Sequence, residues 1–411
     1  MGIFQPDSSC ILLTFQNFSL INNFFKDKTI LQKLLFILFI ILSFTFCFYN
    51  LNSLSISLWD EYTNFNVIYS TIENKSLPYL MLNNKYFFEK PPLWYFLSLF
   101  NSQIFGLNNL SLRLISAFSG FFIILITFYI GYKIFSYKAG LVSGFVMLAS
   151  RHLFINNSNF FSTHTFRSAD LDALQLLFIL LTSFALFEFN KNNKTFYFAV
   201  ASIFTSFGFM TKGFISLLPV FIYFIYLILN TNKKLLKIKI SYLIYFLTIF
   251  LIFTLPWHLL MFLKFKDLFI ERYFIYHVLI RSISTIEEHY GKIFYYFYIL
   301  FRKDFFFSME FLIISIIYLI NKYKQKISRD FNLFFPLSFI FFILIIFTLV
   351  QTKLAWYILP IYPFASLVIG KFFSDFFLLK NKKYQNILNC IFILILTIQI
   401  LSNFALILIY N

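Results

Sequence analysis

Acidic residues are scarce in this chain, and two of them lie only a few residues past the end of an apolar run. Asp60 and Glu61 open a polar stretch that closes with Glu89 and Lys90 just before a double proline. Placing a carboxylate at the end of a membrane helix costs free energy, which makes such a residue a candidate for function. Such a group can act as a general base or bind a cation. The alternative interpretation is an interfacial polar pair without a chemical role.

A second acidic group opens a later apolar segment. Arg167, Asp170 and Asp172 lie within six residues there. Asp170 could be a helix N-cap, whereas Asp172 lies inside the apolar run and is a functional candidate by default. We expect Arg167 to pair with one of the two carboxylates.

Isolated lysines occur at the ends of two other apolar segments. Lys212 and Lys353 could each bind a phosphate as a point charge, or could extend their ammonium groups to the membrane surface. The long polar connection 263–295 adds residues that could bind an anion or be ordinary loop charges: His277, Arg281, Glu287, Glu288 and His289. A metal site at His289 is not favoured, because the spacing does not resemble a zinc motif.

Composition shows what must position these groups. Of 411 residues, 60% are hydrophobic and 12% are charged, with a mean hydropathy of +0.78, whereas soluble domains are about 25% charged. Apolar runs long enough to cross a bilayer recur, which predicts an all-α polytopic membrane protein. We place eleven segments, at about 32–50, 112–134, 139–155, 170–189, 196–211, 213–229, 241–262, 296–320, 332–350, 354–377 and 386–409.

The net charge of +17 follows this topology. If the N-terminus is cytoplasmic, every inner connection is rich in lysine, as inner loops are, and faces anionic lipid. The charge therefore indicates orientation and membrane-lipid contact, and no nucleic-acid partner is expected. The two long connections, 51–111 and 263–295, then lie outside, where a nucleotide sugar from the cytosol would not reach. We expect residues 1–31 to be a tail or interfacial segment and 32–411 to be one transmembrane domain.

The first outer connection has its own predicted order. An amphipathic helix at 61–75 would turn an apolar face toward lipid, and a second helix is expected at 92–104, with Pro91 in its first turn and Gly106 at its end. The two helices would hold Asp60 and Lys90 near the membrane surface. The residues of the apolar face are Tyr62, Phe65, Ile68, Tyr69 and Ile72.

Six motifs in a fixed order carry a family resemblance. They are Trp59-Asp60-Glu61, Tyr86 to Leu93, Arg113 to Ala117, Arg167 to Phe178, Thr211-Lys212-Gly213 and Thr352 to Pro363. Together they resemble the bacterial protein mannosyltransferase and lipid A aminoarabinose transferase-like superfamily of GT-C glycosyltransferases. Many relatives carry a soluble domain after the last helix, and none is expected here.

The resemblance implies an inverting glycosyltransferase at the outer face of a bacterial inner membrane. A polyprenyl-phosphate sugar would be the donor, and lipid A, a glycan or a protein the acceptor. It implies no certain cofactor and leaves a divalent metal open. The competing interpretation is a flippase or transporter of a lipid-linked sugar. The implied roles are catalysis by Asp60 and Glu61; donor phosphate binding by Lys90, Lys212, Arg281, Lys353 and Tyr357; and acceptor binding or site ordering by Glu89, Arg167, Asp170 and Asp172.

Overall fold

The computed structural model describes residues 27–53, 55–57, 59–155, 163–230, 236–280, 291–300, 308–376 and 382–409. Most of the predicted tail therefore lies outside the described residues. Residues 43–411 pack as one compact unit, and residues up to 42 contribute the first part of the first helix. The described regular structure is almost entirely helical, which confirms the predicted fold class.

The helices are α1 (Ile30–Phe48), α2 (Asp60–Glu73), α3 (Leu93–Phe105), α4 (Asn109–Ile134), α5 (Tyr137–Ala149), α6 (Asp172–Asn192), α7 (Thr195–Lys212), α8 (Leu218–Leu229), α9 (Leu236–Phe265), α10 (Asp267–Phe269), α11 (Tyr295–Tyr298), α12 (Ser308–Tyr323), α13 (Phe331–Leu349), α14 (Ile361–Phe376) and α15 (Lys382–Ile409). A π-helix covers Ile270–Ile280, and 3-10 turns cover Arg151–Leu153, Phe214–Leu217 and Ala355–Ile358. Two short antiparallel strands, β1 (Met81–Leu82) and β2 (Lys85–Tyr86), form a hairpin between α2 and α3.

Each predicted apolar segment corresponds to a helix. Among the described residues, six helices are long and apolar enough to cross a membrane, namely α1, α4, α6, α9, α13 and α15. Shorter apolar helices occupy Tyr137–Ala149 and Phe214–Leu229, so the chain is a multi-pass membrane protein. The segment predicted at 354–377 begins with the 3-10 turn at Ala355–Ile358 and becomes α-helical only at Ile361.

Small residues bring α4, α5 and α14 close together. A Cβ on Gly131 of α4 would lie 3.0 Å from the Cα of Gly140 in α5. Ser143 Oγ of α5 donates to the carbonyl of Ser366 in α14 at 3.0 Å, while Gly370 packs on the backbone of Ala139. Small residues let membrane helices approach in this way. In these contacts the residue numbers rise along α5 as they fall along α14. The two helices are therefore antiparallel, and the end of α5 meets the start of α14.

The predicted alternation of inner and outer connections agrees with the packing. At one end of the bundle, Ser136 Oγ lies 2.7 Å from Ser374 Oγ, and the Tyr226 hydroxyl donates to the Arg329 carbonyl at 2.9 Å. All four residues belong to predicted inner connections or the helix ends beside them. Described residues of two predicted outer connections, Asp60, Lys90 and His164, meet away from these contacts, among the acidic groups.

The two helices of the first outer connection form as predicted. On α2, Tyr62, Tyr69 and Ile72 are exposed, but Ile68 is buried. The apolar face is therefore narrower than predicted, because Ile68 packs into the protein core together with residues of α3. Helix α3 begins at Leu93, one residue later than predicted, and ends at Phe105. The following Gly106 has a positive φ of 76°, which glycine tolerates.

Candidate active site

Glu61 and Arg113 form a buried ion pair beneath the first outer connection. Arg113 Nε and Nη2 donate to the two Glu61 oxygens at 2.7 and 2.9 Å, and both side chains are 1% exposed. The same guanidinium donates to the carbonyls of Leu51 and Ser55, while Glu61 Oε1 accepts the Ala169 N–H at 2.8 Å. Such a bidentate pair fixes geometry. Glu61, predicted to be catalytic, is instead placed to join three segments of the chain.

Arg167 has a similar structural position. Its Nη1 and Nη2 donate to the carbonyls of Phe46 and Tyr49 at 3.1 and 2.7 Å. These carbonyls lie at the C-terminal end of α1, where backbone oxygens lack helical partners and a cation is favourable. The expected pairing of Arg167 with Asp170 or Asp172 is therefore wrong, because the guanidinium is directed to α1.

Asp170 orders the loop that precedes α6. Its Oδ2 accepts the backbone N–H of His164 at 2.7 Å, and its Oδ1 accepts the amide of Asn64 at 3.4 Å. The Asp170 carbonyl accepts the Ser116 hydroxyl at 2.9 Å. The predicted N-cap role is wrong, because the residue at that position is Leu171. Burial raises the pKa of the Asp170 carboxyl, against the opposing charge of His164.

Five charged side chains alternate in sign across the site, in the order Lys90, Asp60, His164, Asp172 and Lys212. Lys90 Nζ lies 3.7 Å from Asp60 Oδ1, and His164 Nε2 lies 3.0 Å from Asp60 Oδ2. His164 Nδ1 lies 2.6 Å from Asp172 Oδ2, and Lys212 Nζ contacts both Asp172 oxygens at 2.6 and 2.5 Å. We call these five residues the ionic chain. It brings together residues from α2, α6, α7 and the two loops beside them.

Neighbouring charges in the ionic chain stabilise one another in their ionised forms. Burial alone would lower the pKa of His164, but Asp170 and Asp172 raise it to about 9, so the imidazole is protonated at neutral pH. Burial would raise the pKa of Asp60, but Lys90 and His164 outweigh it and hold that pKa well below its usual range. Lys90 has a raised pKa because Asp60 outweighs the effect of burial. Asp60 is therefore an ionised carboxylate.

His164 is held by unusual local geometry. Its backbone φ is 66°, in the left-handed region that is sparse for residues other than glycine. Its ring stacks on Trp356 with centroids 3.9 Å apart and planes 15° from parallel. Strained conformations of this kind cluster at functional sites. Sequence reasoning missed His164, although one signal was present: it is one of only five histidines and lies eight residues before Asp172.

The ionic chain borders a cavity of about 580 Å³. The predicted site residues that line it are Asp60, Glu89, Lys90, Asp172, Lys212 and Tyr357; Gln175, His277 and Trp356 join them. Its volume is in the range of ligand sites. Glu61, Arg167 and Asp170 instead support the cavity from behind, through the contacts above. Arg281 lies outside the described residues.

Lys353 has a structural position. Its ammonium donates to the carbonyls of Phe347 and Thr348 at 2.9 and 2.7 Å and also to that of Val350. These carbonyls lie at the C-terminal end of α13. An ammonium has three protons to donate, and all three have partners here. The geometry contradicts the phosphate-binding role that the resemblance implied for Lys353.

Three side chains could hold a divalent metal. Ligand atoms of Asp60, His164 and Asp170 lie within 4.8 Å of one another. Carboxylate oxygens with one imidazole nitrogen form a donor set that suits several divalent ions. The carboxylates have spare lone pairs beyond the contacts described above. The residues therefore fit a metal, which would replace the proton on His164 Nε2.

A family model agrees with the motifs. The model described as dolichyl-phosphate-mannose-protein mannosyltransferase matches residues 89–259. An uncharacterized protein of Aquifex aeolicus is 28% identical over 326 residues, which is 77% of this chain and 58% of that protein. A second uncharacterized protein of the same organism is 27% identical over 370 residues, covering 89% of this chain and 78% of its own length.

Solved structures show the same fold. ArnT from Cupriavidus metallidurans bound to undecaprenyl phosphate has a TM-score of 0.70 at 17% identity, covering 87% of this chain and 63% of that chain. The Archaeoglobus fulgidus oligosaccharyltransferase has a TM-score of 0.59 at 13% identity, covering 92% and 56%. The chain thus spans less than two thirds of these proteins' lengths. The chain therefore has the GT-C membrane fold, as predicted, and the family-model match over residues 89–259 agrees with the resemblance to the superfamily.

Proposed function

We propose that this chain is an inverting glycosyltransferase that moves a sugar from a polyprenyl-phosphate carrier to an acceptor oxygen. The ionic chain carries the proposal, because it places an ionised carboxylate, Asp60, on a cavity that also contains the ammonium groups of Lys90 and Lys212. Glycosyl transfer from a lipid phosphate needs both signs of charge. The family-model match and the shared fold support the same reaction class.

In the proposed step, the acceptor oxygen forms a bond to the anomeric carbon from the side opposite the phosphate. The bond from that carbon to the phosphate oxygen breaks, and the polyprenyl phosphate leaves with the electron pair. Lys90 and Lys212 stabilise its developing charge. An acceptor hydroxyl gives its proton to Asp60, whereas an ionised phosphate acceptor needs only orientation. In-line displacement inverts the anomeric configuration.

Donor binding would make Asp60 a better base. Lys90 Nζ is 3.7 Å from Asp60, beyond an ordinary hydrogen bond, so a donor phosphate can draw the ammonium away. The pKa of Asp60 then rises, because one of the charges that hold it low has moved. His164 stays between Asp60 and Asp172 and keeps the carboxylate oriented. The base is therefore strengthened when the donor is present.

We propose further that Asp60, His164 and Asp170 can hold a divalent metal. A bound metal would supply a Lewis-acidic contact for an oxygen of the substrate. Adding Mn²⁺ or Zn²⁺ to chelator-treated protein should raise its melting temperature, because a ligand that binds only the folded state stabilises it. The Asp170→Asn variant should show a smaller rise. An equal rise in both proteins would contradict this assignment.

We place the site at the outer face of a bacterial inner membrane, with the N-terminus in the cytoplasm. The lysine-rich connections opposite the ionic chain support this orientation. The acceptor would then be a lipid A, glycan or protein group exposed at that face. A cysteine is introduced at Lys75 in one variant and at Lys326 in another. In intact cells, a thiol reagent added from outside should label the first variant and leave the second unlabelled. The reverse pattern would overturn the orientation.

The test of the function uses purified protein in detergent with an undecaprenyl-phosphate sugar and members of each acceptor class. Sugar should be transferred without vesicles, and the product should have the inverted anomeric configuration by NMR. Retention of configuration would refute the single-displacement step. Failure to transfer to any acceptor, with translocation of the lipid-linked sugar in proteoliposomes by wild-type protein and Asp60→Asn alike, would establish a flippase instead.

A further inference from the structure

Gln175 is a buried amide on the wall of the cavity. It lies on α6, three residues after Asp172, and is 5% exposed. Residues three apart share a helix face, and both side chains line the cavity. Burying an amide in an apolar segment is unfavourable unless its polar atoms have partners. The partners of Gln175 therefore show what its remaining polar atom is for.

The amide nitrogen of Gln175 has two acceptors. Nε2 donates to Ser216 Oγ at 3.0 Å and to the Gly213 carbonyl at 3.4 Å. A backbone carbonyl cannot donate, so the Gln175 atom that faces it must be the nitrogen rather than the oxygen. The Gly213 carbonyl therefore fixes the orientation of the Gln175 amide. The oxygen, Oε1, therefore points away from Gly213.

Oε1 of Gln175 is an acceptor without a donor among the residues that the structure describes, since both of the side chain's hydrogen bonds use its nitrogen. It is not one of the fully enclosed orphan atoms of the described protein, and the side chain borders the cavity. An amide oxygen accepts hydrogen bonds and repels other acceptors. It would bind an O–H or N–H group and disfavour a phosphate or carboxylate oxygen.

The position of Gln175 indicates which molecule carries that donor. Gly213, which fixes the amide, directly follows Lys212, and the Lys212 ammonium contacts Asp172 one helical turn before Gln175. Lys212 is one of the proposed phosphate-binding cations. The sugar of the donor is bonded directly to its phosphate, so it lies beside the same lysine.

We propose that Gln175 determines sugar specificity by accepting a hydrogen bond from a hydroxyl or amino group of the donor sugar. The proposal rests on the glycosyl transfer proposed above. A site built to accept such a bond discriminates against an analogue that lacks the group, because the buried oxygen is then left unpaired. Ser216 is a positioning residue, because it holds the amide from the other side. Gly208 packs against Ser216, where a Cβ would lie 2.8 Å from its Oγ.

The test compares polyprenyl-phosphate sugars that lack one hydroxyl or amino group at a time. Wild-type protein should lose about threefold to tenfold in kcat/KM with one of these analogues, the worth of one hydrogen bond. With the intact sugar, the kcat/KM of Gln175→Met should be lower than that of wild type by a similar factor. When that analogue replaces the intact sugar, the kcat/KM of Gln175→Met should not fall further. Gln103→Met, an exposed glutamine outside this cavity, is the matched control and should behave as wild type.

Several outcomes would overturn the proposal. If Gln175→Met discriminates among the analogues as wild type does, Gln175 does not recognise the sugar, although the enzyme still transfers it. If wild-type protein transfers sugar from no donor, the proposed function fails and this inference fails with it. If Gln175→Met does not fold, Ser216→Ala replaces it. That variant should lose part of the discrimination in kcat/KM, and undiminished discrimination would contradict the proposal.

Discussion

Asp60 and Glu61 are neighbours in sequence but lie in two different regions of the molecule. Asp60 lines the cavity, and its nearest cation on the cavity side is 3.7 Å away. Glu61 is enclosed, with a bidentate Arg113 at 2.7 and 2.9 Å and two backbone N–H donors. Because consecutive residues at a helix start point in different directions, one helix end supplies both a reactive group and its support.

The same division separates the predicted lysines. Lys212 lines the cavity and bonds the Asp172 carboxylate, whereas Lys353 donates all its protons to the end of α13. The Lys212 ammonium bonds only the Asp172 carboxylate among the described residues, so it keeps a proton to donate to a substrate. The fully bonded charges behind the cavity cannot donate to one without leaving buried polar groups unpaired. Residue type alone therefore does not separate chemistry from structure here; the completeness of the hydrogen bonding does.

The largest loss of stability is expected from Glu61→Ala. Removing one partner of a buried ion pair leaves the other charge uncompensated, so the free energy of unfolding should fall by about 3–5 kcal/mol. Denaturation of the purified protein in detergent measures it. Glu73→Ala, at the exposed end of the same helix, is the control and should change it by less than about 0.5 kcal/mol. Similar losses for both would erase the distinction between the two regions.

The two lysines should respond in opposite ways. Lys353→Met should lower the free energy of unfolding by about 2 kcal/mol, since charged hydrogen bonds to the α13 carbonyls are lost, with transfer per folded molecule unchanged. Lys212→Met should reduce kcat by about 100-fold, as expected when one group that stabilises transition-state charge is removed. Kinetics normalised to folded protein decides between them. A transfer defect in folded Lys353→Met would indicate that Lys353 belongs to the active site.

The pH dependence of stability tests the ionic chain. The pKa of His164 is raised to about 9 in the folded protein, against about 6.5 in an unfolded chain. The contribution of the protonated imidazole to the free energy of unfolding is therefore complete below about pH 6.5 and is lost as the pH rises through about 9. Melting temperatures of chelator-treated protein should fall over that interval more in wild type than in His164→Gln. Parallel profiles would show that the imidazole is not charged.

The smallest effect is expected at the ring that covers His164. Trp356→Leu removes a stacked aromatic face at 3.9 Å, which is worth about 1 kcal/mol. The melting temperature should fall slightly, and His164 should lose its proton at a lower pH, as NMR titration can show. Trp356→Phe should restore most of both properties. No change in the titration would mean that the stack is packing alone.

The sequence was sufficient for features set by local composition. Helix positions follow from apolar run length, and α2 and α3 follow from periodicity and proline placement. The grouping of Asp60, Lys90, Asp172 and Lys212 in one cavity was expected from the alternation of connections and from the motif resemblance. All of this depends on short-range pattern or on topology that charge indicates.

The contacts that could not be predicted from the sequence join residues that lie far apart in it. The pair of Glu61 with Arg113 joins residues 52 positions apart, and nothing local in the sequence distinguishes Glu61 from Asp60. The partners of Arg167 and Lys353 could not be predicted because they are backbone carbonyls, which every residue carries. His164 was missed because its role depends on carboxylates from two segments and on a tryptophan far along the chain.

Asp60→Asn separates a catalytic role of Asp60 from the structural role of its neighbour Glu61. The variant keeps the size of the side chain and removes its charge. Transfer per folded molecule from an undecaprenyl-phosphate sugar should fall by about 10²–10⁴-fold, the usual contribution of a general base, while the protein still inserts in the membrane and folds. Wild-type turnover in a folded Asp60→Asn protein would show that Asp60 is not the catalytic base.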